Sequence, residues 1–417
     1  MKRWKLLISL LIVSVLTLLN IHTVQRVDPK DDITGLEPVG ETSPSSTFLA
    51  PNASFGACLM MKEDNDLLYE WISYHYLTLP LRYLVVGSDQ GNTQNPHDVL
   101  KRWTNDIHYW VLNSTDFIGR HGPYQRTKKD DKDFFHHQLI YRQRAFVTTC
   151  VEFLKERGIH WIVMIDSDEF IVMNRFNMDD DDDFHATNSE NVTYKMRKFL
   201  TNGDYSTVLD VIHATKRELQ PIEPCYIMPR LRFGALERVS CSDSIQVNQV
   251  AKSEYKYAAM STLRYKQHAG KNHFSANKFG KVMVDLSQIP DVSKQPKNVH
   301  RPFTDQCPYP VVWFKDVLFS VNHYTASWER YSHRQDERRN CENWIELAYH
   351  DQGNSCHQQI HKWFPQFIDK VGHKRAKHLL GLDATRQIQS TEECPPKDFD
   401  FTKLQKKYGW NISNLIL

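Results

Sequence analysis

From Phe55 onward the chain alternates short apolar runs with longer segments of helical spacing. FGACLMMK and LRYLVVGSD predict two strands, and the intervening DNDLLYEWISYHYLTL predicts a helix that starts at Asp64 or Asn65. A helical PHDVLKRW and a strand-like DIHYWVL follow. Strands that alternate with helices are typical of a mostly parallel sheet, so this half of the chain predicts an α/β fold.

The segment HHQLIYRQRAFVTTCVEFLKERG carries the longest helical pattern, with apolar positions at Leu139, Phe146, Cys150 and Leu154 and a glycine at its end. The strand-like WIVMI comes next. We therefore expect a Rossmann-like, mixed but mostly parallel sheet with helices on both faces. In such folds ligands bind beyond the carboxyl ends of the strands.

Beyond Met228 the predicted strands are shorter and more mixed. GKVMVDLSQI and PVVWFKDVLFSVNHY predict strands, and SWERYSHRQDERRNCENWIELAY predicts a helix. We expect this part of the chain to complete the core and to build a wall of the cleft.

The N-terminus has the pattern of a membrane anchor. Three cations precede a segment without charge from Leu6 to Gln25, and twenty helical residues reach about 30 Å, which matches a bilayer core. Because the cations lie on the short side, residues 1–5 are predicted to be cytoplasmic and everything after residue 25 lumenal or extracellular. A cleaved signal peptide is the alternative, but LNIHTVQRV offers no small-x-small cleavage site.

Residues 26–54 are poor in aromatic side chains and rich in Pro, Ser, Thr, Gly and Asp, as in DPKDDITGLEPVGETSPSSTF. Such a composition predicts an extended stem rather than a packed element. Folding is expected to begin near Phe55.

Composition narrows the class of protein. With 41% hydrophobic and 12% aromatic residues among 417, the chain can bury a sizeable core. Lys and Arg number 52 and Asp and Glu 50, and no basic stripe stands out. The charge therefore gives no reason to expect nucleic acid or another polyanion as a partner.

Sequons and cysteines agree with a lumenal location. The sequence contains four N-x-[ST] sequons, which begin at Asn52, Asn113, Asn191 and Asn411. It also has eight cysteines without C-x-x-C spacing, which favours disulfides over a zinc site. We expect Cys225 to pair with Cys241 and Cys341 with Cys356, and we expect Cys58 and Cys150 to be buried thiols.

The strand-like HWIVMIDSDEFIV places three acids in four positions, at Asp166, Asp168 and Glu169. D-x-D occurs elsewhere in the chain, but only this copy ends an apolar strand. If the strand continues, Asp166 and Asp168 share one face about 7 Å apart, and Glu169 points the other way. Two carboxylates so placed can bind Mg²⁺ or Mn²⁺ and leave sites for a diphosphate.

A structural cluster is the alternative to a metal site. In it the acids would cap helices or pair with arginines, for which Arg142, Arg144 and Arg175 are the candidates. The β-α-β opening, the lumenal topology and the stem favour the metal site over that alternative.

Six segments in order resemble glycosyltransferase family 92, once called domain of unknown function 23. They are KEDNDLLYEWISYH, RYLVVGSDQGNT, HHQLIYRQRAFVTTCVEFLKERGIHWIVMIDSDEFIV, RLRFG, GKVMVDLSQIPDVSKQPKNVH and NHYTASWERYSHR, and they span most of residues 55–340. The resemblance implies a GT-A fold, a UDP-sugar donor such as UDP-galactose, dependence on Mn²⁺ and inversion at the anomeric carbon.

The resemblance also implies residue roles. Asp166 and Asp168 fall on the family's D-x-D, with Asp168 in direct metal contact and Asp166 near the ribose or bound to the metal through water. His300 and His323 match late histidine positions, of which one is expected to ligate the metal, with His300 preferred. Neutral imidazole suits Mn²⁺.

The first predicted helix matches an E-W-x-x-x-H pattern of the family at Glu70, Trp71 and His75. The role of these residues is either packing or chemistry. Gln143 and Arg144, on the helix before the acidic segment, are candidates for facing the donor.

Two turns depart from the family. Lys62, Glu63 and Asp64 stand where the family has K-N-E, and residues 87–90 (GSDQ) stand where it has D-N-x-S. Both turns touch the nucleoside in the family. Glu63, Asp64 and Asp89 are therefore candidates for donor binding, and Asp89 is expected to replace the missing acid.

An inverting transfer also needs a carboxylate base on the face opposite the leaving diphosphate. Glu237 is the first candidate because it lies in the expected acceptor half, and Asp243, Asp316 and Glu329 come behind it. The resemblance thus divides the chain into a donor half at 55–175, an acceptor half at 176–345 and a helical or irregular extension at 346–417.

The expected protein is a single-pass type II Golgi enzyme that transfers a sugar from UDP to a glycan acceptor, with Mn²⁺ or Mg²⁺ as cofactor. The sequence leaves open whether the protein forms a homodimer. Two rival interpretations are a lumenal carbohydrate-binding protein without activity and a metal-dependent hydrolase. Trp313, Tyr324 and Trp328 are candidates to stack on a sugar, although core packing is the default for each.

Overall fold

A computed structural model describes residues 53–121, 134–174, 206–218, 224–234, 260–266, 280–307, 317–325, 327–333, 340–350 and 359–383, with isolated residues at 268, 314, 394, 402 and 406. The predicted tail, anchor and nearly all of the stem lie outside these residues. Within the described part, no helix is both long and apolar enough to cross a bilayer.

The main sheet has six strands in the order β3-β2-β1-β4-β8-β6. Their bounds are β1 Phe55–Met61, β2 Leu81–Ser88, β3 His108–Asn113, β4 Trp161–Met164, β6 Cys225–Met228 and β8 Lys281–Asp285. β1 pairs in parallel with β2 and β4, and β2 with β3. β8 is antiparallel to β4 and to β6, so the sheet is mixed, as predicted for a Rossmann-like fold.

A smaller sheet has the order β5-β9-β7, formed by β5 Glu169–Met173, β7 Arg230–Phe233 and β9 Phe319–Tyr324. β5 is antiparallel to β9, and β7 is parallel to it. The sequence did not predict this second sheet, because the apolar FIV after the acids reads as a continuation of the first strand.

The helices are α1 Asn65–Thr78, α2 His97–Leu100, α3 Ser114–His121, α4 Phe134–Glu156, α5 Val208–Glu218, α6 Ser261–Arg264, α7 Trp328–His333, α8 Cys341–His350, α9 Trp363–Val371 and α10 His373–Leu379. Short 3₁₀ turns lie at Lys101–Trp103, Leu286–Gln288 and Gln359–Lys362. The C-terminal segment predicted as one helix contains two, α7 and α8.

Helices α1 and α4 cover opposite faces of the main sheet. Along β1 the odd-numbered side chains belong to the same apolar cluster as α1 residues such as Leu68 and Ile72. The even-numbered positions face α4, where Cys58 is bonded to Cys150. Alternation in a strand thus gives each helix its own half of the β1 side chains, which confirms the prediction of helices on both faces.

Helix α4 approaches β2 so closely that only glycine fits at position 87. A Cβ atom added to Gly87 would lie 2.5 Å from Cδ2 of Phe146. The ring fills the space that a side chain would take. At its end α4 stops at Gly158, whose φ of +71° is the left-handed conformation that glycine adopts without strain.

Three disulfides lie among the described residues, and they differ from the expected pairs. Cys58 is bonded to Cys150, Cys225 to Cys307 and Cys341 to Cys394. The expected pairings of Cys225 and Cys341 with nearby cysteines were therefore wrong, as was the expectation of buried thiols at 58 and 150. Proximity in sequence misled because each real pair joins segments that are 53 to 92 residues apart.

Candidate functional site

The acids of DSDE lie in the turn between β4 and β5, at the carboxyl end of β4. Ile165 to Asp168 are outside both strands, and Glu169 opens β5. The strand alternation predicted for Asp166 and Asp168 therefore does not apply, because the chain turns from one sheet into the other at this point. Their positions are set by the hydrogen bonds of the turn.

Helix α1 and strand β9 hold the backbone of this turn. The indole Nε1 of Trp71 donates to the carbonyl of Asp166 over 3.1 Å. The amide of Tyr324 donates to the carbonyl of Asp168 over 3.0 Å. Donors from two separate elements thus satisfy these two carbonyls of the turn.

His75 anchors the strand that leaves the turn. Its Nε2 accepts from the amide of Ile171 at 3.3 Å, so its Nδ1 carries the proton and donates to the carbonyl of Trp71 at 2.9 Å. The ring is fully buried and lies parallel to Phe170. Burial lowers the pKa of His75 to about 3, which keeps the imidazole neutral.

Glu70 plays a similar role toward α6. Its carboxylate accepts from the amide of Ser261, and from both the amide and the hydroxyl of Thr262, over 2.7–2.8 Å. Burial raises the pKa of Glu70 although these donors oppose the shift. Of the two roles left open for the E-W-x-x-x-H pattern, its three residues here have the packing role.

Lys281, the first residue of β8, sits between two acids of the turn. Its Nζ lies 2.8 Å from Oδ2 of Asp166 and 3.0 Å from Oε2 of Glu169. The Lys281 side chain is only 5% exposed, whereas that of Asp166 is 52% exposed. A buried ammonium therefore supports the acidic turn from below, while Asp166 faces outward.

Glu169 is fully buried and ionised. Besides Lys281, its carboxylate meets Nη1 of Arg230 at 3.4 Å and accepts from the amide of Asp166 at 2.9 Å. Burial acts to raise the pKa of Glu169, but the nearby positive charges, of Lys281 above all, outweigh it and leave the pKa lowered. In the same way, burial acts to lower the pKa of Lys281 and the two acids raise it.

Asp168 points toward His323 on β9. Their side chains approach to 3.6 Å between Oδ1 and Nε2, and both are mostly buried. The contact follows from strand pairing, since Glu169 lies opposite His323 in the β5–β9 register. A carboxylate and an imidazole side by side are the ligand types that Mn²⁺ accepts.

His300 lies near enough to the acidic turn for the charges there to act on its imidazole. The positive charge of Lys281, together with burial, lowers the pKa of His300 to about 3. The carboxylate of Asp166 and His323 also act on it. Among the described residues, none forms a hydrogen bond with its buried Nδ1. His300 is thus a neutral imidazole with an unused nitrogen.

These residues fit a divalent ion by ligand type. Asp168 and His323 are adjacent, and the charges of Lys281 and Asp166 act on the nearby imidazole of His300. Nevertheless, no three His, Cys, Asp or Glu residues of the described part form a group that could hold a metal as they stand. Of the acids expected to bind the metal, Asp166 is the one whose carboxylate is paired with Lys281.

The predicted donor-binding acids of the first two turns have protein partners. The hydroxyl of Thr93 donates to Glu63 at 2.9 Å, and the amide of Thr93 also donates to it. The amide of Glu63, at φ +56°, donates to Oδ1 of Asn92 at 3.0 Å. Glu63 therefore shapes the turn after β2 and does so from a strained backbone position.

Asp64 and Asp89 are also engaged. Asp64 accepts from the hydroxyl of Ser167 at 2.7 Å, which ties the start of α1 to the acidic turn. Asp89 forms a bidentate pair with Arg142, with distances of 2.6 and 3.0 Å. Arg142 thus pairs with Asp89 and not with the acids for which it was a candidate partner.

Gln143 and Arg144 are half-buried on α4 rather than exposed. Arg144 donates to the carbonyl of Lys297, in the segment that leads to His300. It therefore positions that segment. Within the described part of the chain, no hydrogen-bond partner assigns a role to Gln143.

Several candidates lie outside the described residues or in the core. Glu237, Asp243, Asp316, Trp313 and Arg175 are not among the described residues. Glu329 is described and exposed on α7. Tyr324 and Trp328 are buried, so packing is the role that the structure gives them.

The sequence reasoning did not single out Lys281 and Arg230. Both open short strands, in KVMVD and RLRF, and a cation at the start of an apolar strand is the signal that was available. Nothing in the sequence connects them to the acids, because the pairing needs β8 and β7 in place.

No protein-family model and no curated protein matches the chain.

Proposed function

We propose that this protein is a metal-dependent, inverting glycosyltransferase that moves a sugar from a UDP donor to a glycan acceptor. Galactose is the first candidate for the sugar. The proposal is carried by the acidic turn at the carboxyl end of β4, where Asp168 faces His323 and Asp166 faces outward. A parallel β3-β2-β1-β4 core supports it, since ligands of such sheets bind at this edge.

The finer fold assignment is also a proposal. A parallel core that continues into antiparallel strands, with a second sheet that begins at the acidic turn, is compatible with the GT-A fold. The resemblance of the ordered segments to glycosyltransferase family 92 points the same way.

The residues would divide the chemistry among them. Asp168, with His300 or His323, would hold Mn²⁺ or Mg²⁺, whose charge offsets the negative charge of a departing diphosphate. Asp166 would accept a hydrogen bond from the donor's ribose or reach the metal through water. Glu237 is the proposed base that takes the proton of the acceptor hydroxyl.

The proposed location is the Golgi membrane, with a single-pass type II anchor and the catalytic part in the lumen. Disulfides at Cys58–Cys150, Cys225–Cys307 and Cys341–Cys394 support an oxidising compartment. In the reducing cytosol such cysteines would stay as free thiols.

Asp168→Asn tests the function. The variant keeps the size of the side chain but loses the carboxylate that faces His323, and we expect sugar transfer to fall by at least about a hundredfold. The measurement is transfer from a panel of UDP-sugars to a mixture of glycans, with Mn²⁺, by the full-length protein.

Asp98→Asn is the matched control. Asp98 is an exposed acid whose partner is the equally exposed Lys101, so its loss should leave transfer within about twofold of the unchanged protein. Full transfer activity in a folded Asp168→Asn protein would contradict the proposed function.

A carbohydrate-binding protein without turnover is the second candidate. It is favoured by the ammonium of Lys281 at Asp166, which takes up one of the two acids expected at the donor site. The same experiment separates the two functions, because glycan retention without transfer would support binding alone, and cleavage of the glycan would support a hydrolase.

A further inference from the structure

Lys281 reaches the outward-facing acid of the turn from inside the protein. Its ammonium lies between Asp166 and Glu169, at 2.8 and 3.0 Å. Among the described residues, Arg230 forms an ion pair with Glu169, at 3.4 Å, and with neither aspartate of the turn. Lys281 is therefore the cation that touches both acids.

The fixed charges nearly balance without a metal. Asp166, Asp168 and Glu169 contribute three negative charges, and Lys281 and Arg230 contribute two positive ones. An added divalent ion would meet the ammonium a few ångströms away, in surroundings where a unit charge counts for more than it does in water. The three acids attract the dication, and the ammonium weakens that attraction. A dication chelated by a nucleoside diphosphate carries a net negative charge, which the ammonium attracts.

We propose that Lys281 is an internal counter-ion that competes with a free divalent ion for Asp166 and favours a divalent ion that arrives bound to a nucleoside diphosphate. This inference rests on the proposed function only in assigning a divalent ion and a diphosphate to the site. The ammonium repels the free dication and attracts the diphosphate. The preferred ligand is the metal–diphosphate chelate, and not the metal alone.

Lys281→Met provides the test, with Lys281→Arg as the charge-preserving control. In Lys281→Met we expect the dissociation constant of free Mn²⁺ to fall about tenfold, because a repelling charge is gone. The dissociation constant of UDP with saturating Mn²⁺ should rise about tenfold, because an attracting charge is gone. In Lys281→Arg both constants should stay within about threefold of the unchanged protein.

Opposite shifts are the decisive readout. A lysine that only supports the fold would, when lost, weaken both ligands together. The measurements are titration of free Mn²⁺ followed by electron paramagnetic resonance and calorimetry of UDP, on the full chain. Weaker or unchanged binding of free Mn²⁺ by a folded Lys281→Met protein, or no Mn²⁺ binding by any variant, would overturn the proposal.

A second variant covers the case in which Lys281→Met does not fold. Lys281→Met combined with Glu169→Gln removes the buried carboxylate along with its ammonium partner, so neither of these two charges is left buried without the other. Arg230 loses its contact with Glu169, but its side chain is 19% exposed and can be solvated. Asp166 is freed of the ammonium, and free Mn²⁺ should bind at least about threefold tighter. Binding no tighter than in the unchanged protein overturns the proposal.

Neither measurement requires sugar transfer. Opposite shifts in a protein that transfers no sugar would support the role of Lys281 and contradict the glycosyltransferase function. If the protein transfers sugar but Lys281→Met shifts both constants the same way, the glycosyltransferase function is supported and the proposed role of Lys281 is contradicted.

Discussion

At the scale of single residues, a neutral imidazole is part of the scaffold under the acidic turn. His75 accepts from the amide of Ile171 and donates to the carbonyl of Trp71, and the first of these bonds needs an unprotonated Nε2. Protonation would place a positive charge in a fully buried position beside an N–H donor. The turn and β5 therefore depend on the protonation state of one side chain.

This dependence predicts that acid destabilises the fold. The unfolded chain binds a proton at His75 below its ordinary pKa of 6.5, whereas the folded protein does so only near pH 3. As pH falls from about 6.5 toward 3, the free energy of unfolding should drop by up to about 1.4 kcal/mol per pH unit on account of this group. Urea unfolding at pH 7.5, 6.0 and 5.0 measures the slope.

His75→Gln isolates the effect, since the amide oxygen can still accept from Ile171 but does not titrate. We expect the variant to be less stable at pH 7.5 and to lose about one proton's worth of the pH slope. His97→Gln, at a half-buried position on α2, should keep the slope. An unchanged slope in His75→Gln would contradict the assignment.

At the scale of elements, the contact between β2 and α4 leaves no room for change. Gly87→Ala would drive a methyl group into the ring of Phe146, at a built distance of 2.5 Å. We expect a loss of about 1–3 kcal/mol in the free energy of unfolding, as for overpacking elsewhere. Adding Phe146→Leu should restore part of it, which denaturant unfolding of the double variant would reveal.

Gly119→Ala is the contrasting change. Gly119 lies in the exposed part of α3, and a Cβ there would meet nothing within 4 Å. Alanine should therefore be neutral or stabilise the protein by up to about 1 kcal/mol. Equal effects at the two glycines would show that the β2–α4 contact is looser than described.

The disulfide between Cys58 and Cys150 joins β1 to α4 across 92 residues. Closing so long a loop restricts the unfolded chain, so Cys58→Ala with Cys150→Ala should lower the free energy of unfolding by roughly 2–4 kcal/mol. Unfolding in guanidinium with and without reductant tests this. The reductant should weaken the unchanged protein more than the double variant, and equal losses would speak against the bond.

Local patterns in the sequence predicted the elements of the first half well. The helical spacing of α1 and α4 and the apolar runs of β1, β2 and β3 match the structure closely. These elements are long or bounded by turn residues, so their signals are local. The DSD turn was located for the same reason, as acids after an apolar run.

What the sequence missed depends on distant parts of the chain. The β5-β9-β7 sheet pairs Glu169 with His323 and Arg230 with Val321, partners 154 and 91 positions apart, and Lys281 meets Asp166 across 115 positions. The cysteine pairs were missed for the same reason, because each joins segments 53 to 92 residues apart. The donor-binding roles of Glu63 and Asp89 were expected from the family resemblance of their turns, and Thr93 and Arg142 became visible as their partners only in three dimensions.

At the scale of the whole molecule, the proposed lumenal topology makes a prediction about Asn113. This residue ends β3, is exposed, and begins the sequon Asn-Ser-Thr. If the chain enters the secretory pathway, Asn113 should carry an N-linked glycan. Expression in cultured animal cells, followed by peptide N-glycosidase treatment and gel mobility, measures the number of glycans.

Asn113→Gln should remove one glycan, and Thr115→Ser should retain it. A protein of unmodified mobility in every case would contradict lumenal exposure of this face. Thr115→Ala removes the hydroxyl that the sequon needs. Loss of one glycan in this variant would confirm that Asn113 is glycosylated through its sequon.

The support of the acidic turn by α1 has a practical consequence for engineering. Because Trp71 and His75 fix the turn from beneath, its shape does not depend on what the outward-facing side chains at its surface contact. A library that varies those surface positions can explore new ligand preferences while the frame stays intact. Variation within α1 would instead be selected mainly for survival of the fold, so the two regions should be mutated in separate campaigns.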